Sequence, residues 1–118
     1  MKHIYFLVGE PFLVDEALAK IRSETGSGSL SEVRLDADSA APEILNALET
    51  PTLLGGPRLV IVEEAQGLGK EAVAEIERFI ESPSSESVLV LVANRKTALA
   101  RLVDKKGAVV TLDPPRGR

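Results

Sequence analysis

Two glycine-containing segments carry residue types that could hold a phosphate group. The first, residues 9–16 (GEPFLVDE), directly follows an apolar run. A phosphate-binding loop there needs several glycines, a lysine for the terminal phosphates and a hydroxyl residue for magnesium. Only Gly9 is in place, and Asp15 and Glu16 stand where the lysine and the hydroxyl residue are required. Because two carboxylates repel a triphosphate, this turn predicts that no nucleotide binds here.

The second segment, residues 67–70 (GLGK), opens a predicted helix, and a helix N-terminus favours anions. The upstream glycine position holds Glu64, however, and Glu71 follows Lys70 where serine or threonine would be needed. We interpret the segment as a helix cap with a solvated lysine. A nucleotide-binding ATPase that uses Lys70 remains the alternative.

Acidic and amide side chains follow two further apolar runs. Glu63 and Glu64 end one run, an arrangement that can present carboxylates to a metal ion or a water molecule, and Asn94 ends the next. Without a phosphate-binding loop they have no substrate to act on, so we interpret them as solvated groups. A receiver-like signalling domain, the other alternative, needs acids and a lysine at three strand ends, which Glu10, Glu63 and the C-terminal tail do not match well. We therefore expect no catalytic residue, no cofactor and no metal.

Composition narrows the remaining possibilities. The chain has 118 residues, which suits a single domain, and it contains no cysteine and one histidine, His3. Disulfides, thiolate metal sites and cysteine nucleophiles are thereby excluded. The 18 Asp and Glu outnumber the 14 Lys and Arg, so we expect little direct DNA contact. Since no apolar run approaches the length of a membrane span, we expect no membrane contact and a cytoplasmic location.

The apolar periodicity alternates between strand and helix along the chain. It predicts strands at 4–8, 33–35, 59–62, 88–92 and 108–112, and helices at 11–22, 40–49, 70–81 and 97–103, with a turn at 105–107. Continuous Val, Ile and Leu runs are typical of strands that are buried on both faces. The pattern therefore predicts a three-layer α/β fold, in which a five-stranded, mostly parallel sheet carries helices on both faces. We expect one domain at residues 1–112, and a tail or linker at 113–118.

An adjacent pair of leucines, Leu53 and Leu54, lies outside any regular periodicity. Residues that interrupt helices and strands flank the pair on both sides, at 50–51 (TP) and 55–57 (GGP). Two neighbouring side chains in a tight turn do not easily enter the same core, so we expect at least one of them to be exposed. An exposed apolar pair on such a segment is typical of a partner-binding site. The alternative is that both leucines fold back over the edge of the sheet.

Four segments in order resemble the delta subunit of the bacterial DNA polymerase III clamp loader. They are residues 4–13 (IYFLVGEPFL), 52–63 (TLLGGPRLVIVE), 87–93 (SVLVLVA) and 105–110 (KKGAVV). The resemblance covers nearly the whole chain, and it concerns only the first of that family's three domains. It implies a P-loop NTPase fold of the AAA+ type with a degenerate nucleotide site and no ATPase activity.

The resemblance also implies a partner and a site. The family's delta subunit binds the ring-shaped sliding clamp, the beta subunit, and helps to open it during DNA replication through an apolar pair after the second helix. Leu53 and Leu54 match that pair, and Thr52, Gly55 and Gly56 would shape the segment. The family pair often includes phenylalanine, so two leucines would bury less area. Contacts with other clamp-loader subunits would use domains that this sequence does not contain.

Overall fold

The computed structural model describes residues 4–25, 32–38, 41–49, 58–82 and 87–112. The predicted pair Leu53 and Leu54 and the predicted tail at 113–118 lie outside these residues. The α/β fold class that the sequence predicts is confirmed in the described part.

Five strands form one sheet. They are β1 (Ile4–Gly9), β2 (Glu32–Leu35), β3 (Leu59–Val62), β4 (Val88–Ala93) and β5 (Ala108–Leu112). Their order across the sheet is β2-β3-β4-β1-β5, and every pairing is parallel. From β1 the chain crosses past β4 and β3 to form β2 at one edge of the sheet. It then returns through β3 and β4 and passes β1 to form β5 at the opposite edge. This change of direction places the end of β1 beside the end of β4, which is where α/β sheets commonly bind ligands.

Four α-helices connect the strands: α1 (Pro11–Thr25), α2 (Ala41–Glu49), α3 (Lys70–Glu81) and α4 (Ala98–Lys106). Pro11 begins α1, where its missing N–H is no loss, and the carbonyl of Glu10 accepts a 2.9 Å hydrogen bond from the N–H of Val14. The predicted turn at 105–107 is wrong for its two lysines, because α4 continues through both. A short 3₁₀ helix at Ala65–Gly67 was not predicted.

The helices divide between the two faces of the sheet, as the sequence predicts. One face carries α2, α3 and α4, whose buried side chains include Ile44, Ile76 and Val103. The opposite face carries α1, which packs Val14, Leu18 and Ile21 against the sheet. Right-handed crossovers explain this division, since a crossover that reverses direction across the sheet must use the other face.

Candidate functional site

The carboxyl edge of the sheet, where a nucleotide would bind in this fold, forms a cavity of about 170 Å³. Its lining comes from the ends of β1, β3 and β4, from the start of α1 and from the 3₁₀ helix. The described lining residues are Gly9, Pro11, Val14, Asp15, Glu63, Glu64, Gln66, Val92, Ala93 and Asn94. Gly9 has a φ of 155°, a conformation that side-chain-bearing residues rarely adopt, so the turn into α1 requires glycine.

Negative charge dominates this cavity. Asp15, Glu63 and Glu64 contribute carboxylates, and no lysine or arginine stands among the described lining residues. Glu16, the other acid of the predicted turn, instead lines a groove between α1 and strands β1 and β5. A triphosphate would enter this cavity against three like charges, as the sequence predicts for Asp15.

The side chain of Gln66 connects the ends of β3 and β4 across the cavity through two hydrogen bonds. Its amide nitrogen donates to Glu64 Oε2 at 2.6 Å, and its Oε1 accepts a 3.1 Å hydrogen bond from the backbone N–H of Asn94. Glu64 itself has a φ of 56°, an uncommon conformation for a residue with a side chain. The backbone amide of Asn94 is therefore already bound by Gln66.

The glycine–lysine segment at 67–70 behaves as a helix cap. The N–H of Gly67 donates to the carbonyl of Glu64 at 2.9 Å, and the N–H of Leu68 donates to that of Ala65 at 3.3 Å. Gly69 is the N-cap of α3, and Lys70 is exposed as its first residue. Because these two amides bond within the chain, they do not cradle a phosphate, which agrees with our interpretation of the segment.

The amino edge of the sheet holds both ends of the segment that contains the leucine pair. The hydroxyl of Ser87, which is 3% exposed, donates to the carbonyl of Leu48 in the last turn of α2 at 2.8 Å. The N–H of Val88 donates to the carbonyl of Arg58 at 2.8 Å. The start of β4 thus fixes both the end of α2 and the entry into β3. Thr52, Leu53, Leu54, Gly55 and Gly56 all lie outside the described residues, so their placement stays a prediction.

A groove of about 440 Å³ between α2 and α3 adjoins the end of α2. Its described lining consists of Leu45, Glu49, Glu75, Arg78, Phe79, Glu81 and Ser82. Glu75 and Arg78 form an ion pair at 3.3 Å beside the buried Phe79 ring. The sequence did not indicate this groove, because it arises where two helices end side by side.

Phe12 is an exposed apolar side chain that was not among the sequence predictions. Its side chain is 70% exposed in the first turn of α1, on the side of the helix that faces away from the sheet. The apolar spacing of α1 does indicate the exposure of Phe12, because Val14, Leu18 and Ile21 form the buried stripe of the helix and Phe12 lies outside it.

Two kinds of site are absent from the described parts of the chain. No group of three or more His, Cys, Asp and Glu side chains is placed to hold a metal ion. Among the same residues, no helix has both the length and the apolar character needed to cross a membrane.

The fold and the carboxyl edge define an α/β protein with a five-stranded parallel sheet, in which acids line the cavity at the strand ends where proteins of this architecture commonly bind ligands. The family described as DNA polymerase III, delta subunit, matches residues 5–112, and the chain therefore belongs to this family. The predicted resemblance is confirmed. A comparison with curated proteins finds no match.

Solved structures share the fold. The clamp loader delta protein YqeN of Bacillus subtilis superposes with a TM-score of 0.74 at 23% identity, over 96% of this chain and 39% of that one. A DNA polymerase III gamma subunit-related protein of Thermotoga maritima gives 0.74 at 16% identity, over 98% and 42%. The RuvB Holliday junction branch migration motor of Thermotoga maritima gives 0.64 at 16% identity, over 97% and 38%. The chain thus spans about two fifths of the length of these proteins.

Proposed function

We propose that this chain is a non-catalytic interaction domain of a clamp-loader delta subunit, which binds the ring-shaped sliding clamp. The observation that carries the proposal is the family match across residues 5–112. The clamp-binding residues in this proposal are Leu53 and Leu54, with Thr52, Gly55 and Gly56 shaping the segment around them. The domain works in the cytoplasm, alongside other clamp-loader subunits.

The carboxyl edge supports a role without nucleotide chemistry. Its three carboxylates stand where the phosphates of a nucleotide would bind, and the amides of Gly67 and Leu68 bond to carbonyls of the chain. A protein of this fold that does not hold a nucleotide still offers a rigid frame on which to present a binding segment.

The amino edge supports the choice of segment. Hydrogen bonds from Ser87 and Val88 hold Leu48 and Arg58, which lie on either side of the segment, so a partner-binding segment there would be anchored at both ends. Anchored ends reduce the conformational entropy that the segment loses on binding. Burying one leucine in a pocket of the clamp would contribute about 1.5–3 kcal/mol before the costs of association.

Ring opening follows if the segment binds one state of the clamp better than the other. A ligand shifts an equilibrium only by its difference in affinity for the two states. In this proposal the leucine pair binds preferentially to a clamp whose subunit interface is weakened, and binding therefore favours the open ring.

The test is binding of the chain to a purified bacterial sliding clamp. Leu53→Ala/Leu54→Ala should weaken binding by at least about tenfold, because two anchoring side chains are truncated. Phe12→Ala is the matched control, since it removes an exposed apolar side chain from the opposite edge of the sheet and should leave binding unchanged. Equal binding by the double variant and the parent chain, with folding confirmed by circular dichroism, would remove the leucine pair from the proposal. Absence of binding by the parent chain would overturn the proposal as a whole.

A further inference from the structure

The two strands at the edges of the sheet, β2 and β5, carry very different residues. β2 reads EVRL, and its Glu32 and Arg34 both take part in ion pairs. β5 reads AVVTL and contains neither a charged residue nor a proline. Charges and prolines on an edge strand discourage further strands from pairing with it. The residues of β2 therefore protect their edge, whereas those of β5 leave theirs open to pairing.

The outer side of β5, which we call the β5 edge, is paired with no other strand of the described structure. Its single neighbour there is β1, on the inner side. The backbone N–H and C=O groups along such an edge can accept a further strand. Side chains of an added strand would point alternately to the two faces of the sheet. They would therefore meet two different surfaces, one beside α1 and one beside α4.

The surface beside α1 is a largely apolar groove of about 330 Å³. Its lining includes the buried Tyr5 and Leu7 of β1 and the half-buried Val110 of β5. Two acids and one lysine of α1 also line it, so its charges largely cancel. The groove exists because α1 is the one α-helix that the described structure places on this face, whereas three cover the other face. Apolar side chains of an added strand would fill the groove and be removed from water.

The surface beside α4 is a smaller, charged groove of about 250 Å³, which Lys96, Arg101 and Asp104 line together with Val109 of β5. The two cations are exposed, and the ion pairs found among the described residues include neither of them. Val109 and Val110 lie on opposite faces of the sheet, since the first packs with the core beneath α4 and the second with the core beneath α1. A strand added to β5 would therefore place every second side chain beside these cations.

We propose that the β5 edge binds an extended segment of a partner protein in which apolar and acidic residues alternate. The segment adds a strand to the sheet: its backbone pairs with β5, its apolar side chains enter the groove beside α1, and its acids face Lys96 and Arg101. This inference goes beyond the proposed clamp binding and uses a different part of the sheet. The proposed clamp-binding segment precedes β3, and β4 and β1 separate β3 from β5.

Charge disfavours a second copy of the chain as the occupant of this edge. Two β5 strands related by a twofold axis would pair antiparallel, with like faces of the two sheets on the same side. The Lys96 and Arg101 side chains of both copies would then approach one another, and like charges oppose such a contact. A neutral or basic segment would also leave these cations without a partner. Charge complementarity therefore favours an acidic segment.

The experiment titrates the whole chain into a fluorescent peptide of about eight residues in which valine and glutamate alternate. Fluorescence anisotropy should show binding, and hydrogen exchange of the β5 amides should slow while that of the β2 amides stays unchanged. Two further peptides serve as controls. One replaces each glutamate by lysine, and the other has the same composition with all valines before all glutamates. Both should bind at least about fivefold more weakly, because the first opposes the α4 cations and the second does not alternate.

Variants of the chain test each groove separately. Lys96→Glu/Arg101→Glu should weaken binding of the valine–glutamate peptide at least about fivefold and allow the valine–lysine peptide to bind. Lys70→Glu/Arg78→Glu is the matched control, because it changes the net charge equally at exposed positions of α3, and its effect should be less than about twofold.

Leu13→Glu places a charge in the groove beside α1 and should weaken binding of both peptides that it would otherwise accept. Phe12→Glu is its control, since the neighbouring Phe12 is exposed and does not line that groove. Circular dichroism checks that each variant is folded.

Three results would overturn the proposal. The peptide could fail to bind, or bind without slowing exchange in β5, in which case no strand is added. The three peptides could bind equally, which would show that neither charge nor alternation is recognised. All five β5 amides could already exchange slowly in the free chain, and the chain itself or a second copy would then cover the edge. Leu53→Ala/Leu54→Ala should leave peptide binding unchanged, so this test stands apart from that of the clamp.

Discussion

Glu32 is the centre of a chain of ion pairs that joins α1 to the edge strand β2. Arg22 donates to both of its carboxylate oxygens, at 2.5 and 3.1 Å, and Arg34 donates at 3.3 Å and also reaches Glu63 at 3.5 Å. The hydrogen bonds from Arg22 lower the pKa of Glu32, with a smaller contribution from Arg34, although partial burial opposes the change. The same contact raises the pKa of Arg22. A polar link thus takes the place of apolar packing where α1 meets the edge of the sheet.

Glu32→Gln should make the stability of the chain less sensitive to acid. The pKa of Glu32 is lower in the folded than in the unfolded state, so its contribution is complete above about pH 4.5 and is lost as the pH falls through the folded-state pKa. Urea unfolding at neutral pH should show a loss of about 0.5–1 kcal/mol, since the arginine contact is two-pronged but partly exposed. Between about pH 5 and pH 3 the variant should lose less stability than the parent chain. Glu77→Gln, at an exposed position of α3, is the control, and an identical acid response in all three proteins would contradict the prediction.

At the scale of elements, the sequence indicates which segments form strands and helices but not where every helix ends. The switch between continuous apolar runs and helical spacing predicts all five strands and four helices. The ends are set by individual backbone hydrogen bonds, which the spacing of apolar residues does not contain. The continuation of α4 through Lys105 and Lys106 is one case, because the N–H of Gly107 donates to the carbonyl of Val103 and closes the last turn. Only then does the chain turn into β5.

Gly107→Ala should be strongly destabilising, because the link between α4 and β5 passes directly over β1. A Cβ at this position would lie 2.1 Å from the carbonyl oxygen of Ile4, and backbone atoms of a central strand cannot move aside easily. We expect a loss of about 3 kcal/mol in the free energy of unfolding. Gly69→Ala is the matched control, since no atom lies within 4 Å of the added carbon there, and it should lose at most about 1 kcal/mol from a weaker N-cap. Equal losses in a denaturant titration would show that the contact with Ile4 is not the cause.

At the scale of the whole molecule, the sequence predicts the two edges of the sheet unequally well. The acidic carboxyl edge could be foreseen because Asp15 and Glu64 are local departures from a phosphate-binding pattern. The order of the strands in the sheet could not be predicted, because it depends on which strands pair across the sheet and not on local spacing. The role of Leu53 and Leu54 in partner binding stays a prediction, which rests on the flanking proline and glycine residues and on the family resemblance.

The carboxyl edge leads to a prediction about the entire fold, which is that ATP with magnesium does not stabilise it. A ligand that binds only the folded state adds about 2.7 kcal/mol at a concentration 100 times its Kd. In a domain near this size each kcal/mol raises Tm by about 4 °C, so even binding of moderate strength would be visible in a thermal melt. We expect no shift, because three carboxylates line the cavity and the Gly67 and Leu68 amides are already bonded. A rise in Tm that Lys70→Ala abolishes and Lys20→Ala preserves would instead place a nucleotide at the start of α3. The proposed clamp binding would then have to be tested again in the presence of nucleotide.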